Sequence, residues 1–88
     1  MNIFTHTKSQ FATRLISARE AAGLNGGQVA KRLGKAGHTT ISMWENDKAL
    51  PALDDFVELC KLYNVTPNEI LGFNKSNPQI ADYNYMSE

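Results

Sequence analysis

Apolar residues along this chain come in short pulses at helical spacing, and no stretch alternates in the manner of a half-buried strand. Phe11, Leu15, Ala18 and Ala22 recur at i, i+4, i+7 and i+11, the stripe of an amphipathic helix. In front of it, Thr7-Lys8-Ser9-Gln10 has capping-box spacing, with Thr7 as cap and Gln10 reaching back. Gly23 is a natural stop, so a first helix is predicted over about 8–22.

The second pulse, Val29-Ala30…Leu33, is preceded by Asn25-Gly26-Gly27-Gln28. Asn25 is a favoured cap with Gln28 three residues on, which predicts a helix from Gly26 to about Leu33, stopped by Gly34. Both glycines then fall in the first turn, where the interior cost of ~1 kcal/mol each is reduced. The third pulse is shorter still. Projected at 100° per residue, Ile41 and Trp44 form one buried side, and His38, Thr39, Ser42, Met43 and Asn46 gather on the other. Solvated helix faces usually carry Lys and Glu, whereas this arc carries small hydrogen-bonding groups and one flexible apolar side chain. Such a face reads as a contact surface.

Leu53, Phe56, Val57, Leu59, Cys60 and Tyr63 give a fourth stripe, with Asn64 able to take a left-handed stop. Thr66-Pro67-Asn68-Glu69 combines cap, Pro at the first position and Glu at the third, and starts a short fifth helix through Ile70 and Leu71 to Gly72. Residues 73–88 mix Asn, Ser and Pro with Tyr83 and Tyr85 and give no assignable pattern. There is no internal repeat.

Eighty-eight residues with 42% apolar and 20% charged content suit one soluble globular domain with a modest core. No run is apolar enough to span or target a membrane, and the single Cys60 cannot form an internal disulfide. A reducing cytoplasm is therefore the expected setting. Net charge is zero, yet the halves differ. Residues 1–50 carry Lys8, Arg14, Arg19, Lys31, Arg32, Lys35 and Lys48 against Glu20, Glu45 and Asp47, a balance of +4, and residues 51–88 carry −4. That asymmetry can turn a positive side toward a polyanion. Chemistry of other kinds finds little footing. His6, His38 and Cys60 lack metal-ligand spacing, no nucleophile stands beside a base, and no glycine-rich loop follows a strand. No enzyme, cofactor or metal is expected.

Phe11…Leu15…Arg19, Gly23-Leu24, Ala30…Leu33-Gly34, Ile41-Ser42…Trp44-Glu45, Lys48…Pro51, Leu53…Phe56, Leu59 and Val65…Glu69-Ile70-Leu71 together resemble the Cro/repressor-type (XRE) helix-turn-helix family. The resemblance covers roughly 11–72 and implies an all-α, compact five-helix lambda-repressor-like domain over 1–72, with a short C-terminal tail over 73–88. It implies that the third helix enters the DNA major groove, with His38, Thr39, Thr40, Ser42 and Met43 at base edges. It implies phosphate contacts from Asn46 and Lys48, and a partly buried ion pair between Arg19 and Glu45. Lys31, Arg32 and Lys35 are the further phosphate candidates by charge. Gln28 is another, at the mouth of the second helix.

Two departures stand out. Relatives often carry Gln where this chain has Gly26, so Gly26 and Gly27 either offer bare backbone N–H groups to a phosphate or simply open the helix without side chains. The turn through Lys35-Ala36-Gly37 is one residue longer than the commonest pattern, which leaves the register of His38 and Thr39 open by one position.

The function so implied is a sequence-specific transcriptional regulator of the phage or prophage repressor type. It would act as a homodimer on a palindromic double-stranded operator, with Phe73, Tyr83 and Tyr85 available to the dimer contact. With no second domain expected after residue 72, self-cleavage is not expected either. The alternatives are an antitoxin-type module that binds a toxin (an antirepressor is a further protein partner of this kind) and a controller protein of a restriction-modification system.

Overall fold

The computed structural model describes residues 8–73, in which five helices follow one another: α1 (Gln10–Ala21), α2 (Gly26–Arg32), α3 (Thr39–Glu45), α4 (Leu53–Tyr63) and α5 (Pro67–Leu71). No strand occurs among the described residues, so the fold is all-α. Local signals place most of the boundaries. Asn25 and Gln28 form a reciprocal capping box, each side chain accepting from the other's backbone N–H at 2.8 Å. Thr66 and Glu69 do the same for α5, with Pro67 at its start.

The exits are equally regular. Gly23, Gly34 and Asn64 adopt left-handed conformations after α1, α2 and α4. Beyond each, a backbone N–H reaches back over the last turn: Leu24 to Arg19, Lys35 to Ala30 and Val65 to Cys60. Gly72 ends α5 at φ 84°, a left-handed conformation that favours glycine, and a Cβ there would displace only the mobile end of the Arg14 side chain.

Two details of α1 differ from the sequence reading. Its cap is Ser9, whose side chain accepts from Ala12 N–H at 3.1 Å, and the helix begins at Gln10. Gln10 does not reach back; its amide oxygen accepts from Arg14 Nη2 at 2.6 Å. Thr7 lies outside the described residues, as do Tyr83 and Tyr85. The buried stripe is Ala12, Leu15 and Ala18, with Phe11 half-buried, and Ala22 is exposed as the C-cap. On α4, Leu53 and Val57 likewise stand outside the core, which takes Phe56, Leu59, Cys60 and Tyr63. A helical stripe is wider than the strip its neighbours cover, and here α1 covers only part of it.

The core joins Leu15 and Ala18 to Val29 and Ala30 of α2, Ile41 and Trp44 of α3, the α4 residues and Ile70 of α5. Phe11 and Phe56 pack ring to ring at 5.9 Å. Helix α1 touches α3, α4 and α5, and α2 rests on α3. Helix α3, only seven residues long, could not persist alone; Ile41 and Trp44 hold it against this core. Burying each stabilises by about 1.5–3 kcal/mol.

Candidate nucleic-acid interface

Helix α3 is fixed on its inner side by more than apolar contact. Glu45, the one buried charged residue of the described chain, accepts from Arg19 Nε at 2.9 Å and from Arg19 Nη2 at 3.2 Å. Arg19 Nη1 donates to the Leu24 carbonyl at 2.9 Å. One guanidinium therefore ties α1 at once to the link before α2 and to the last turn of α3. Its bond to Glu45 holds the Arg19 guanidinium above its ordinary range, against the opposing effect of burial. Tyr63, buried close to the pair, has its hydroxyl pushed well up, chiefly by burial and then by the Glu45 charge.

The exit of α3 is fastened from α1 as well. Asp47 adopts a left-handed φ of 60°, and Lys48 N–H bonds the Met43 carbonyl at 2.9 Å across the last turn. The other described helices use Gly or Asn at such a point. Here the Asp47 carboxylate accepts from both Ser9 N–H and Ser9 Oγ, each at 2.7 Å. Asp47 thus joins the cap of α1 to the end of α3 and sets where Lys48 leaves the helix. Sequence reasoning missed this residue; the only signal was an Asp at a helix exit, where Asp tolerates the left-handed region better than most residues.

With the inner side settled, the outer side follows. His38, Thr39, Ser42, Met43 and Asn46 are all exposed, and Thr40 is half-exposed. Met43 keeps 41% of its surface. The arc carries no full charge, and His38 makes no capping bond at the start of the helix. Gly26 belongs to this neighbourhood: a Cβ there would lie 3.5 Å from His38 Cβ and 3.9 Å from Ile41 Cγ2. The start of α3 thus lies over the first turn of α2, at a distance where a Cβ would make ordinary contact. Gly27 meets only the Asn25 side chain. Gln28 is exposed, its oxygen engaged in the capping box.

The cationic candidates separate. Lys31 and Lys48 are exposed, and no ion pair links either to an acid among the described residues. Lys35 is turned away, its Nζ 3.0 Å from Asp55 of α4. Arg32 lines a shallow depression with Glu58 and Lys61 of α4. Asn46 folds back onto Ser42, its Nδ2 donating to the Ser42 carbonyl at 2.8 Å and approaching Ser42 Oγ at 3.2 Å. Cys60 is buried, and burial pushes its thiol up. No group of three His, Cys, Asp or Glu that could hold a metal occurs among the described residues, and no helix among them is long and apolar enough to cross a membrane.

A family model described as helix-turn-helix matches residues 15–70, more than half of the chain, from the middle of α1 to the last core residue of α5. Comparison with curated proteins and with solved structures gives no match.

Proposed function

Since the chain belongs to the XRE-type family of helix-turn-helix DNA-binding regulators, we propose that it is a repressor of the phage or prophage type that occupies a palindromic operator as a homodimer. The observation that carries this reading is the two-sidedness of α3: Ile41, Trp44 and Glu45 are buried, and every residue of the opposite side is exposed, polar or flexible, and uncharged. A rod held so firmly from behind loses little entropy on docking, and its neutral outer groups can exchange water for base edges without desolvating a full charge. Thr39, Thr40 and Ser42 offer hydroxyls, His38 a ring nitrogen and Met43 an apolar contact for a thymine methyl. Lys31 and Lys48 supply phosphate neutralisation, with backbone N–H groups of Gly26 and Gly27 and the Gln28 amide beside them. Lys35 contributes less, because Asp55 of α4 already pairs with it, and Arg32, exposed and in no ion pair with an acid among the described residues, can join Lys31 and Lys48.

Dimerisation is supported by a second surface. Leu50, Leu53 and Leu71 are exposed by 46–77% around an open apolar groove of about 490 Å³ that Phe11 and Phe56 also line, and Phe73, two residues past Leu71, is exposed as well. A second copy seated there would match a two-fold operator whose half-sites lie about one helical turn, ~34 Å, apart. Selection of bound duplexes from a random pool tests the reading, and a palindromic consensus is expected. Titration with that duplex should move the amide resonances of His38 through Asn46. Resonances that stay still, at low and physiological salt alike, would overturn the assignment of α3 as the reading element.

A further inference from the structure

The contact between Asn46 and Ser42 fixes more than the end of a helix. The Ser42 carbonyl can only accept, so the amide group facing it at 2.8 Å is the Asn46 nitrogen and not its oxygen. The same nitrogen stands 3.2 Å from Ser42 Oγ, which must therefore accept on that side. Ser42 has one hydroxyl proton, and it cannot point at an N–H donor. Ser42 is exposed, and its Oγ has no further hydrogen-bond partner among the described residues. The proton is thereby directed away from Asn46, and accepting one bond strengthens the hydroxyl as a donor in the next.

We infer that Asn46 is a positioning residue that sets the polarity of Ser42, so that the recognition face presents a hydrogen-bond donor at this point. The inference rests on the DNA-binding reading and deepens it. Serine in general pairs with either kind of base edge, but a serine held this way selects an acceptor: guanine O6 or N7, adenine N7 or thymine O4. An amino group such as cytosine N4 finds only the one lone pair that Asn46 leaves, and is the weaker partner at the same place. A direct phosphate role for Asn46 fits this geometry poorly. Its nitrogen is occupied by Ser42, and its remaining oxygen is an acceptor facing an anion that offers only acceptors.

The test compares base preference across the selected duplex for the unaltered protein, Ser42→Ala, Asn46→Ala and the double variant. A scrambled duplex and a thermal melt serve as controls. Ser42→Ala is expected to lose about three- to tenfold selectivity at one base-pair position, the worth of one neutral hydrogen bond. Asn46→Ala should lose several-fold at that same position, bind the scrambled duplex unchanged, and add nothing further in the double variant. Asn46→Asp sharpens the result should the alanine variant melt too early to use. Its carboxylate accepts only and draws the Ser42 proton inward, so the preference should fall at least as far. The inference is overturned if Asn46→Ala weakens every duplex alike, if it changes a position Ser42→Ala does not, or if the preference survives both Asn46 variants. If the unaltered protein binds no duplex at all, the DNA-binding reading itself falls, and this inference with it.

Discussion

Two exposed surfaces of this small domain contrast in chemistry. The outer side of α3 is polar and uncharged, with one methionine; the edge formed by Leu50, Leu53 and Leu71 is apolar around a groove. Water solvates the hydroxyls of the first readily, whereas the second is costly to leave in water, because large apolar patches on a monomer mark contact sites. They differ in what stands behind them. The α3 face is backed by a bidentate ion pair, two large buried side chains and the Asp47–Ser9 clamp, all of which fix direction. The apolar edge is backed by the packing of Phe11 and Phe56 on the core, apolar contact that supplies area and little register. A surface that must read bases needs orientation to within a fraction of an ångström; one that meets another apolar surface needs area first. The contrast is why we assign DNA to one and a second copy to the other.

The largest break in that contrast comes from Arg19. Arg19→Ala leaves Glu45 buried without its partner and frees the Leu24 carbonyl. Side-chain exposures of 18% and 10% put the pair close to the buried class, where removing one partner costs ~3–5 kcal/mol. That is a large share of the 5–15 kcal/mol typical of a whole domain. Urea unfolding should show the loss directly, and hydrogen exchange should show it concentrated in α3 rather than in α4. A loss below about 1 kcal/mol would mean that the pair does not hold the α3 face.

The apolar edge gives the next largest effect. Leu53 is 77% exposed, so Leu53→Glu should leave the melting temperature nearly unchanged, as surface substitutions usually do within ±0.5 kcal/mol. A charge in the centre of the patch should nevertheless yield monomers by sedimentation. Affinity for a full palindrome should fall ten- to a hundredfold, while affinity for a single half-site stays level, on the order expected when linked binding is lost. Unaltered protein that is already monomeric at binding concentrations, or a variant that still dimerises, would detach the apolar edge from the operator symmetry.

Much of this fold is legible along the chain because its punctuation is local. Asn25 with Gln28, Thr66 with Glu69, and the left-handed Gly23, Gly34, Asn64 and Gly72 each act within a turn or so of their own position. The start of α1 is not local. Thr7 and Ser9 are chemically similar caps, and what marks Ser9 is Asp47, 38 residues away. The exposed Leu53 and Val57 are illegible for a related reason, since periodicity shows which residues share a stripe but not how much of it a neighbour covers. At the candidate interface, the outward arc of α3 follows from the projection once Ile41 and Trp44 are taken as inner. The occupation of Lys35 by Asp55 is a contact over 20 residues that no motif encodes. The Asn46–Ser42 bond lay within reach, because the two stand four apart on one helical side.

The smallest effect discriminates most finely within the α3 face. Lys48 follows Asp47 directly, its backbone N–H locked to the Met43 carbonyl, its side chain exposed and in no ion pair with an acid among the described residues. It therefore stands just past the residues proposed to read bases. Lys48→Ala should lower the slope of log affinity against log salt by about one and weaken all duplexes equally, the mark of one lost phosphate contact. Ser42→Ala should do the reverse, changing preference at one position and leaving the salt slope alone. If Lys48→Ala alters base preference instead, the reading face extends past the end of α3. The Asp47–Ser9 clamp would then aim a base contact rather than a phosphate contact.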